Sequence, residues 1–487
     1  MSIVQIQIGQ CGNQLGAELF NAIYTDSFSK TSLAPSTDRA YTSEALSVFF
    51  DESAKSRLHA RCVQVDMEEK VLDRLHLAAQ CRGTWYYPSN NRFTAKCGSG
   101  NNWAYGFFVH ANEIERKLEE PIQSQLERCD LLDGLLVTMS LAGGTGSGVG
   151  TRLLLHMPDI APKTPTLTQL VWPYRRGEVS VQAYNAILTL GHLLDPSTVG
   201  SLDGFIMHHN DLLHTICLNR LQASNPNVTV GMDQLNALAS HQTAGLLQPV
   251  AQRNSFGTSF CRRRLSSTII DLCGHPDYRL LRLRCLPYLG FESRPFATET
   301  WSQLARHGRQ MLLTGSSAED RMDWSLMSTG TDAIRRFQQT HLPLLSCVSV
   351  LRGQDAMEHV RDPVEFAHES THGLFGSNRS SFGKSDSSSV VRGHGRPFMN
   401  YPRSLFLASN GGGMRFPEPT EITDAHAASN GDTTASLRYA ASRAWEMFAS
   451  RAYLHQYERY GLSTELLMDC FAMVEQTAHD YGSLSWS

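Results

Sequence analysis

Over roughly the first 200 residues the chain switches repeatedly between two hydrophobic periods. Residues 3–8 (IVQIQI) alternate apolar and polar side chains, the two-residue period of a strand. Past the turn GQCGN, Leu15, Leu19 and Ile23 recur every fourth position and form a helical stripe. Val63 and Val65 mark a second short strand. Residues 134–140 (GLLVTMS) are a near-continuous apolar run, the pattern of a parallel strand buried on both faces, and residues 166–172 predict another. Strand, glycine-bearing loop and helix in succession predict a doubly wound α/β sheet. Pro121 falls inside the helical stretch before residue 134 and predicts a kink or a division into two helices.

Farther along, the periodicity fades and returns. Residues 373–397 are rich in Gly, Ser and basic side chains, and residues 410–435 carry few apolar anchors. Both predict flexible loops that cannot repay their ordering entropy. Beyond them Leu437, Ala441, Trp445, Phe448 and Ala452 predict one apolar helix face, with Arg438, Arg443 and Glu446 turned away. Leu467, Cys470, Phe471 and Val474 predict a second amphipathic helix, with core packing as the role of the aromatics.

Composition narrows the class. With 487 residues, 41% of them hydrophobic, the chain exceeds one simple domain and predicts two or three. A net charge of −4 without a dense Lys/Arg block argues against nucleic-acid binding. The 19 histidines are scattered, and the pair His208 and His209 lacks a helically spaced partner of ligand type. Eleven cysteines, an odd number with no C-x-x-C pair, predict reduced thiols in a cytosolic protein. The chain opens on a strand-like MSIVQIQIG, and no run approaches the ~18 apolar residues of a membrane span. These features predict a soluble, intracellular protein.

The sharpest chemical signal is AGGTGSG, residues 142–148, directly after the buried strand. Its glycines let backbone N–H groups approach a ligand closely. A helix beginning near Ser147 adds its positive end, and Thr145 and Ser147 offer hydroxyl donors. An ordinary glycine-rich turn is the plainer alternative. It is weakened by a second strand–glycine–helix junction, GQCG at residues 9–12, in the matching place after the first strand. No Lys follows the glycines, so the loop is not of Walker type, and its order does not match G-x-G-x-x-G. Charge compensation is therefore expected from backbone donors and a metal ion. Asp66 and Glu68 could hold Mg²⁺ directly or through water, and two solvated loop carboxylates are the alternative.

GQCGNQ at 9–14, VDMEE at 65–69, GNNWAYG at 100–106, GGTGSG at 143–148, VQAYNAILTL at 181–190 and WEMFASRAYLHQY at 445–457 together resemble the tubulin family. The likeness runs from residue 3 to about 482 and is weakest in the middle third. Ala142 before the glycines, WPY at 172–174, GEVSVQAYN at 177–185, RQML at 309–312, VLRG at 350–353 and MFASRAYLHQY at 447–457 resemble the delta branch of that family most. The closing YGSLSWS is not the acidic tail of the alpha and beta branches. The resemblance implies a Rossmann-like GTP-binding domain over 1–209, a core helix with an α+β intermediate domain over 210–435, and a C-terminal helical hairpin over 436–487. It implies GTP or GDP with Mg²⁺ as cofactors.

Each matched position carries an implied role. Gln10, Cys11 and Gln14 lie against the phosphates, with Gln10 near Mg²⁺ beside Asp66 and Glu68. Gly100 and Asn101 close over the terminal phosphate. Ser140, Gly143, Gly144, Thr145 and Gly146 cradle the phosphates. Glu178 and Gln182 approach the ribose, and Asn210 and Asn236 read the purine. An Asn amide accepts from guanine N1–H and N2–H and donates to O6, a pattern adenine cannot mirror. Met232 stands where the family has an aromatic on the base, and an adaptable thioether can still cover a purine face. Gln182 stands where the family has Glu.

In tubulins a helix of the next subunit brings an acidic residue that positions the attacking water. Here that segment reads CRRRLSSTIIDLCGHP, 261–276, and counting back from His275-Pro276 puts Ser267 at the acidic position. A Ser near its ordinary pKa is a poor general base. Asp271 lies one helical turn away, about 6 Å, and Arg262, Arg263 and Arg264 either face a neighbour's phosphates or form a solvated basic turn. The expectation is a GTP-binding structural subunit, at most an assembly-dependent GTPase, weak in triggering hydrolysis. By resemblance it joins alpha, beta or epsilon tubulins and centriolar or basal-body proteins, in the cytoskeleton, centrosome and cilium. A nucleotide-stabilised adaptor that does not polymerise is the rival. An unrelated dinucleotide enzyme is disfavoured by the absence of a catalytic dyad.

Overall fold

Apolar runs become buried strands where the sequence places them: Ser2–Ile8, Cys62–Asp66, Leu132–Ser140, Thr166–Trp172 and Asp203–His209. The computed structural model describes residues 1–29, 31, 34–52, 57–95, 97–175, 177, 179–197, 203–222, 229–254, 257–324, 338–375, 389–414 and 433–486. They fold as two units. The first comprises Met1–Asn21, Leu46–Asn210 and Leu437–Ala478, and the second Ala22–Ala45, Asp211–Ser436 and His479–Ser487. Among the described residues no helix is long and apolar enough to cross a membrane, and the cysteines are free thiols.

In the first unit the five strands and the short Arg92–Thr94 hydrogen-bond in the order 203–209, 166–172, 132–140, 2–8, 62–66, 92–94, every pair parallel. Ile6 lies opposite Val137 on one side and Val63 on the other. From Ser2–Ile8 the chain first builds outward to Cys62–Asp66, then crosses to the other flank for Leu132–Ser140. That reversal opens a crevice at the carboxyl ends of two neighbouring strands. Both ends run directly into glycine turns and helices, Gly9–Ser27 and the helical run from Gly144 to Ile160. The doubly wound α/β expectation holds.

The second unit is a mixed sheet in the order 257–260, 251–254, 389–394, 341–353, 403–414, 280–286. Only Ser389–His394 and His341–Gly353 pair in parallel; the other described pairs are antiparallel. Helix Trp301–Thr314 buries Trp301, Leu304, Leu312 and Leu313 in a core with Leu286, Leu344, Leu405 and Leu407.

Three local expectations change, and one narrows. Helix Ala111–Glu127 continues through Pro121 as one element, so the chain does not divide into two helices there. Ile114, Leu118 and Ile122 are fully buried along it, and that burial outweighs one lost backbone hydrogen bond. The expected loop 373–397 contains the strand Ser389–His394, while 376–388 lie outside the described residues. Among its described residues Arg392 and Arg396 are buried and paired: Arg392 with Asp271 (2.5 Å) and Thr268 (2.9 Å), Arg396 with Asp38 (2.7 Å) and Asp26 (3.5 Å). The expected loop 410–435 begins as the end of strand Arg403–Met414 and finishes as the start of helix Thr433–Ala449, with 415–432 outside the described residues. On that helix the buried face is Leu437, Ala440, Ala441 and Ala444; Trp445 is partly exposed and stacks on Phe471 at 4.1 Å, and Ala452 falls beyond the helix. Leu467, Cys470, Phe471 and Val474 are buried as expected.

Candidate functional site

The two glycine junctions touch. Gly9 has φ +72°, and a Cβ on it would meet Gly146 N at 2.9 Å and the Thr145 side chain at 3.6 Å. Gly144 lies so close to the next loop that a Cβ would meet Asn102 N and O and Ser99 Cβ, each at 2.7 Å. Ser99 Oγ and Thr145 Oγ1 are 2.9 Å apart. Loops 9–11, 99–102 and 143–146 thus share one crevice. Gly100 and Asn101 both sit at φ +56° on its exposed rim, and Asn101 Oδ1 lies 3.6 Å from the Gly143 Cβ position.

The helix starts at Gly144, not near Ser147, and its first turn is a widened π turn, Gly144–Val149. A second π turn, Tyr105–His110, packs against it through glycines: a Cβ on Gly106 would fall 2.3 Å from Gly144 O, and one on Gly148 2.3 Å from Trp103 O. The N–H groups of Gly144, Thr145 and Gly146 therefore belong to a helix N-terminus, where no intrahelical acceptor exists and an anion is favoured. Ser147 is fully buried and its hydroxyl donates to Gly143 O, so it braces the loop and is not an outward donor. Ser140 Oγ accepts from Ala142 N at 3.2 Å.

Two buried asparagines hold the loops from beneath. Asn13 Nδ2 donates to Gly9 O (2.9 Å) and Val65 O (3.0 Å), tying the first junction to the strand that ends at Asp66. Asn185 Nδ2 donates to Ala142 O (2.5 Å) and Asn101 O (2.8 Å), while its Oδ1 accepts from Trp103 N (3.1 Å) and Tyr457 OH (2.6 Å). Neither Asn185, Ser99 nor Tyr457 stands out in the sequence. Asn185 lies within the VQAYNAILTL stretch, which signals a buried polar side chain in an apolar helix but not its partners.

The remaining candidates are placed as follows. Gln10 is exposed, and Cys11 and Gln14 are half-buried on the first helical turns. Burial pushes the Cys11 thiol up to about 12, so it stays protonated. Asp66 ends its strand; burial, and to a lesser extent the neighbouring Glu68, pushes its carboxyl up to about 6. Asp66 Oδ1 accepts from Glu68 N (3.0 Å), whereas Oδ2 is buried with no hydrogen-bond partner. Glu68 is exposed, with Oε1 3.2 Å from the Gly98 Cβ position. An orphaned carboxylate oxygen calls for a cation or water. Among the described residues no three His, Cys, Asp or Glu side chains gather to hold a metal alone. That donor set fits Mg²⁺, which keeps several waters and takes phosphate oxygens with one or two carboxylates.

Gln182 Nε2 donates to Tyr174 O (2.7 Å), and its Oε1 is buried without a partner. Glu178 lies outside the described residues. Asn210 opens helix Asn210–Gln222 at the end of strand Asp203–His209 in the first unit. Met232, 44% exposed, and the half-buried Asn236 share the first turns of helix Met232–Leu247 in the second unit. On helix Arg264–Leu272, Ser267 is half-buried and its hydroxyl donates to Arg263 O. Arg262 and Arg263 are exposed. Arg264 is 2% exposed and pairs with Glu44 at 3.1 Å, so it does not face outward with the other two.

The sequence profile described as "Tubulin/FtsZ family, GTPase domain" matches residues 2–218, the stretch that carries the crevice. The chain is 34% identical to the tubulin delta chain of Mus musculus, over 99% of this chain and 100% of that protein. It is 33% identical to the tubulin delta chain of Homo sapiens with the same coverage. To the tubulin beta-1 chain of Colletotrichum graminicola it is 32% identical over 50% of this chain and 52% of that one. A glycine crevice at the switch point of a doubly wound sheet and full-length similarity to tubulins agree: the chain belongs to the tubulin family.

Proposed function

We propose that the chain is a guanine-nucleotide-binding structural subunit of delta-tubulin type that takes part in centriolar and basal-body triplet microtubules and in cilium formation. The observation that carries the nucleotide reading is the contact of the two glycine junctions, Gly9 against Thr145 and Gly146, over two helix N-termini. Polyphosphate lies there against the backbone of 143–146, with Gln10, Cys11, Gln14 and Ser140 around it and Gly100 and Asn101 above. Asp66 and Glu68, with Gln10 near them, would hold Mg²⁺ directly or through water, and the ion would supply the charge compensation that a Walker lysine gives elsewhere. Gln182 and Glu178 meet the ribose, Asn210 and Asn236 select guanine, and Met232 covers the base. The partners are other tubulins, alpha, beta or epsilon, and centriolar proteins. Hydrolysis in a neighbour is triggered weakly, because no acidic side chain stands at Ser267.

The test is to denature the purified chain and identify what it releases. About one guanine nucleotide per chain is expected, as for a site built by a whole fold. Release of no guanine nucleotide at stoichiometric sensitivity overturns the reading. A GTP-loaded chain that stays monomeric at every concentration, alone or with other tubulins, converts the subunit into an adaptor.

A further inference from the structure

Asn185 uses its whole hydrogen-bonding capacity, two donors and two acceptor positions, on four groups all far from it in sequence. Two are carbonyls of the crevice loops, Ala142 and Asn101. In a trans peptide C=O and N–H point opposite ways. Holding Ala142 O inward therefore turns Gly143 N–H outward, toward the anion side. The fourth group is Tyr457 OH, at 2.6 Å, from helix Leu454–Glu458. Asn185 and Tyr457 are both 0% exposed. The stretch after the crevice loop also meets this segment directly: Asn102 Nδ2 donates to Gln456 O (3.1 Å), and the rings of Tyr105 and Tyr460 are 4.7 Å apart. Next to these inward contacts His455, Gln456, Glu458 and Arg459 are exposed. Asn13, the asparagine beneath the other junction, makes no such outward link: its partners are Gly9, Val65 and Gln64, all in the sheet and its first helix.

We propose that Asn185 is a positioning residue that links nucleotide occupancy of the crevice to the order of the exposed segment 454–461, through Tyr457. It rests on the nucleotide site proposed above. An anion that fixes loops 99–102 and 142–146 fixes the Asn185 amide, which in turn fixes Tyr457 and the turn that carries it. Ligand and segment are then coupled in both directions, since coupling free energy is reciprocal.

Two variants of the full chain test it. Asn185→Asp keeps the shape but faces two carbonyl oxygens with a carboxylate. At pH 8 it should bind Mg-GTP at least about tenfold more weakly than the parent, and the ratio to the parent should narrow at pH 6, where a protonated acid donates one bond. Because the folding penalty of a buried carboxylate also eases as pH falls, the folded fraction at each pH, read by denaturant unfolding, is divided out of the affinity ratio. Tyr457→Phe keeps the ring packed on Tyr184 (5.5 Å between centroids) and removes only the hydroxyl, so it serves even where Asn185→Asp does not fold. In the nucleotide-free chain it should speed amide exchange at 99–106 and 142–146. In the loaded chain it should reduce the slowing of exchange at 454–461 that GTP produces in the parent, the direct contacts of Asn102 and Tyr105 carrying the remainder. Parental affinity of Asn185→Asp at both pH values, or parental exchange of Tyr457→Phe at all three segments, overturns the proposal. A parent chain that binds no guanine nucleotide sinks the functional reading instead, and the exchange of the nucleotide-free variant then decides the linkage by itself.

Discussion

The crevice of the first unit and the helix Arg264–Leu272 of the second handle polar groups in opposite ways. In the crevice, side-chain amides and hydroxyls are spent on carbonyls: Asn13 on Gly9 and Val65, Asn185 on Ala142 and Asn101, Ser147 on Gly143. The N–H groups of two helix starts are left to meet an anion. On the helix, the polar side chains that the proposed function makes candidates for acting on a neighbour's nucleotide are spent within the chain itself. Ser267 bonds Arg263 O, and Asp271 pairs with Arg392. Its outward side instead shows Ile270, 62% exposed. The proposed binding site and the proposed triggering surface differ less in which residues they contain than in which groups are already committed.

The largest effect should come from breaking the crevice. Gly144→Ala drives a Cβ to 2.7 Å from the Asn102 backbone, where neither side can yield cheaply. It should cost at least about 100-fold in GTP affinity, near 3 kcal/mol, read by nucleotide content after purification and by titration. Gly83→Ala, at the end of helix Glu69–Arg82, is the control. Nothing lies within 4 Å of its Cβ position and only the left-handed φ of +70° opposes it, so about 1 kcal/mol of stability is at stake.

Asp271→Asn sharpens the other side of the comparison. Arg392 is 1% exposed and Asp271 is its ion-pair partner. Removing the charge should cost about 3 kcal/mol in denaturant unfolding, the penalty of a buried cation left uncompensated. GTP affinity of the same subunit should stay within about twofold, as for a site without shared partners. A loss of binding without a loss of stability would return Asp271 to the list of functional acids.

The crevice's sheet should also reveal itself through pH. His208 lies in strand Asp203–His209 with Nε2 3.0 Å from Gln169 Oε1, and burial pushes its pKa down to about 4 from 6.5. The unfolded chain takes up a proton below 6.5, whereas the folded chain resists until about 4. Stability is therefore present above 6.5 and is lost as pH falls through that window, by about 3 kcal/mol in all. Subtracting the pH profile of His208→Gln from that of the parent isolates this slope. A flat difference would place His208 in contact with water.

What the sequence revealed follows the same division. The glycine junctions were legible because close approach of backbone leaves no other residue type, and the strands because burial on both faces leaves a long apolar run. The start of the helix at Gly144 was missed because a π turn has no sequence period of its own at that length. Asn185 was missed because its partner Tyr457 is 272 residues away, and nothing local encodes that meeting. Strand Ser389–His394 was read as loop because Arg392 and Arg396 look solvent-seeking. Asp271, Asp26 and Asp38, which make their burial possible, come from remote segments.

The smallest expected effect is also the one that decides the comparison. Ser267→Ala removes a hydroxyl that lies 3.4 Å from Cys261 Sγ and bonds back to Arg263 O one turn earlier, an interaction that slightly weakens helices, so stability should stay within about 0.5 kcal/mol of the parent. In mixed assembly with active tubulins, GTP turnover at an interface capped by this helix should be slow and should differ between parent and variant by less than about twofold, because a serine hydroxyl near its ordinary pKa supplies little general-base catalysis. Ser267→Glu tests the position from the other direction. Ser267 is half-buried, and a carboxylate there supplies the general base that the serine lacks, so it should raise the neighbour's turnover. Fast turnover in the parent that Ser267→Ala abolishes would mean that the hydroxyl leaves its backbone partner on assembly, and that the triggering surface, like the crevice, keeps its working group available after all.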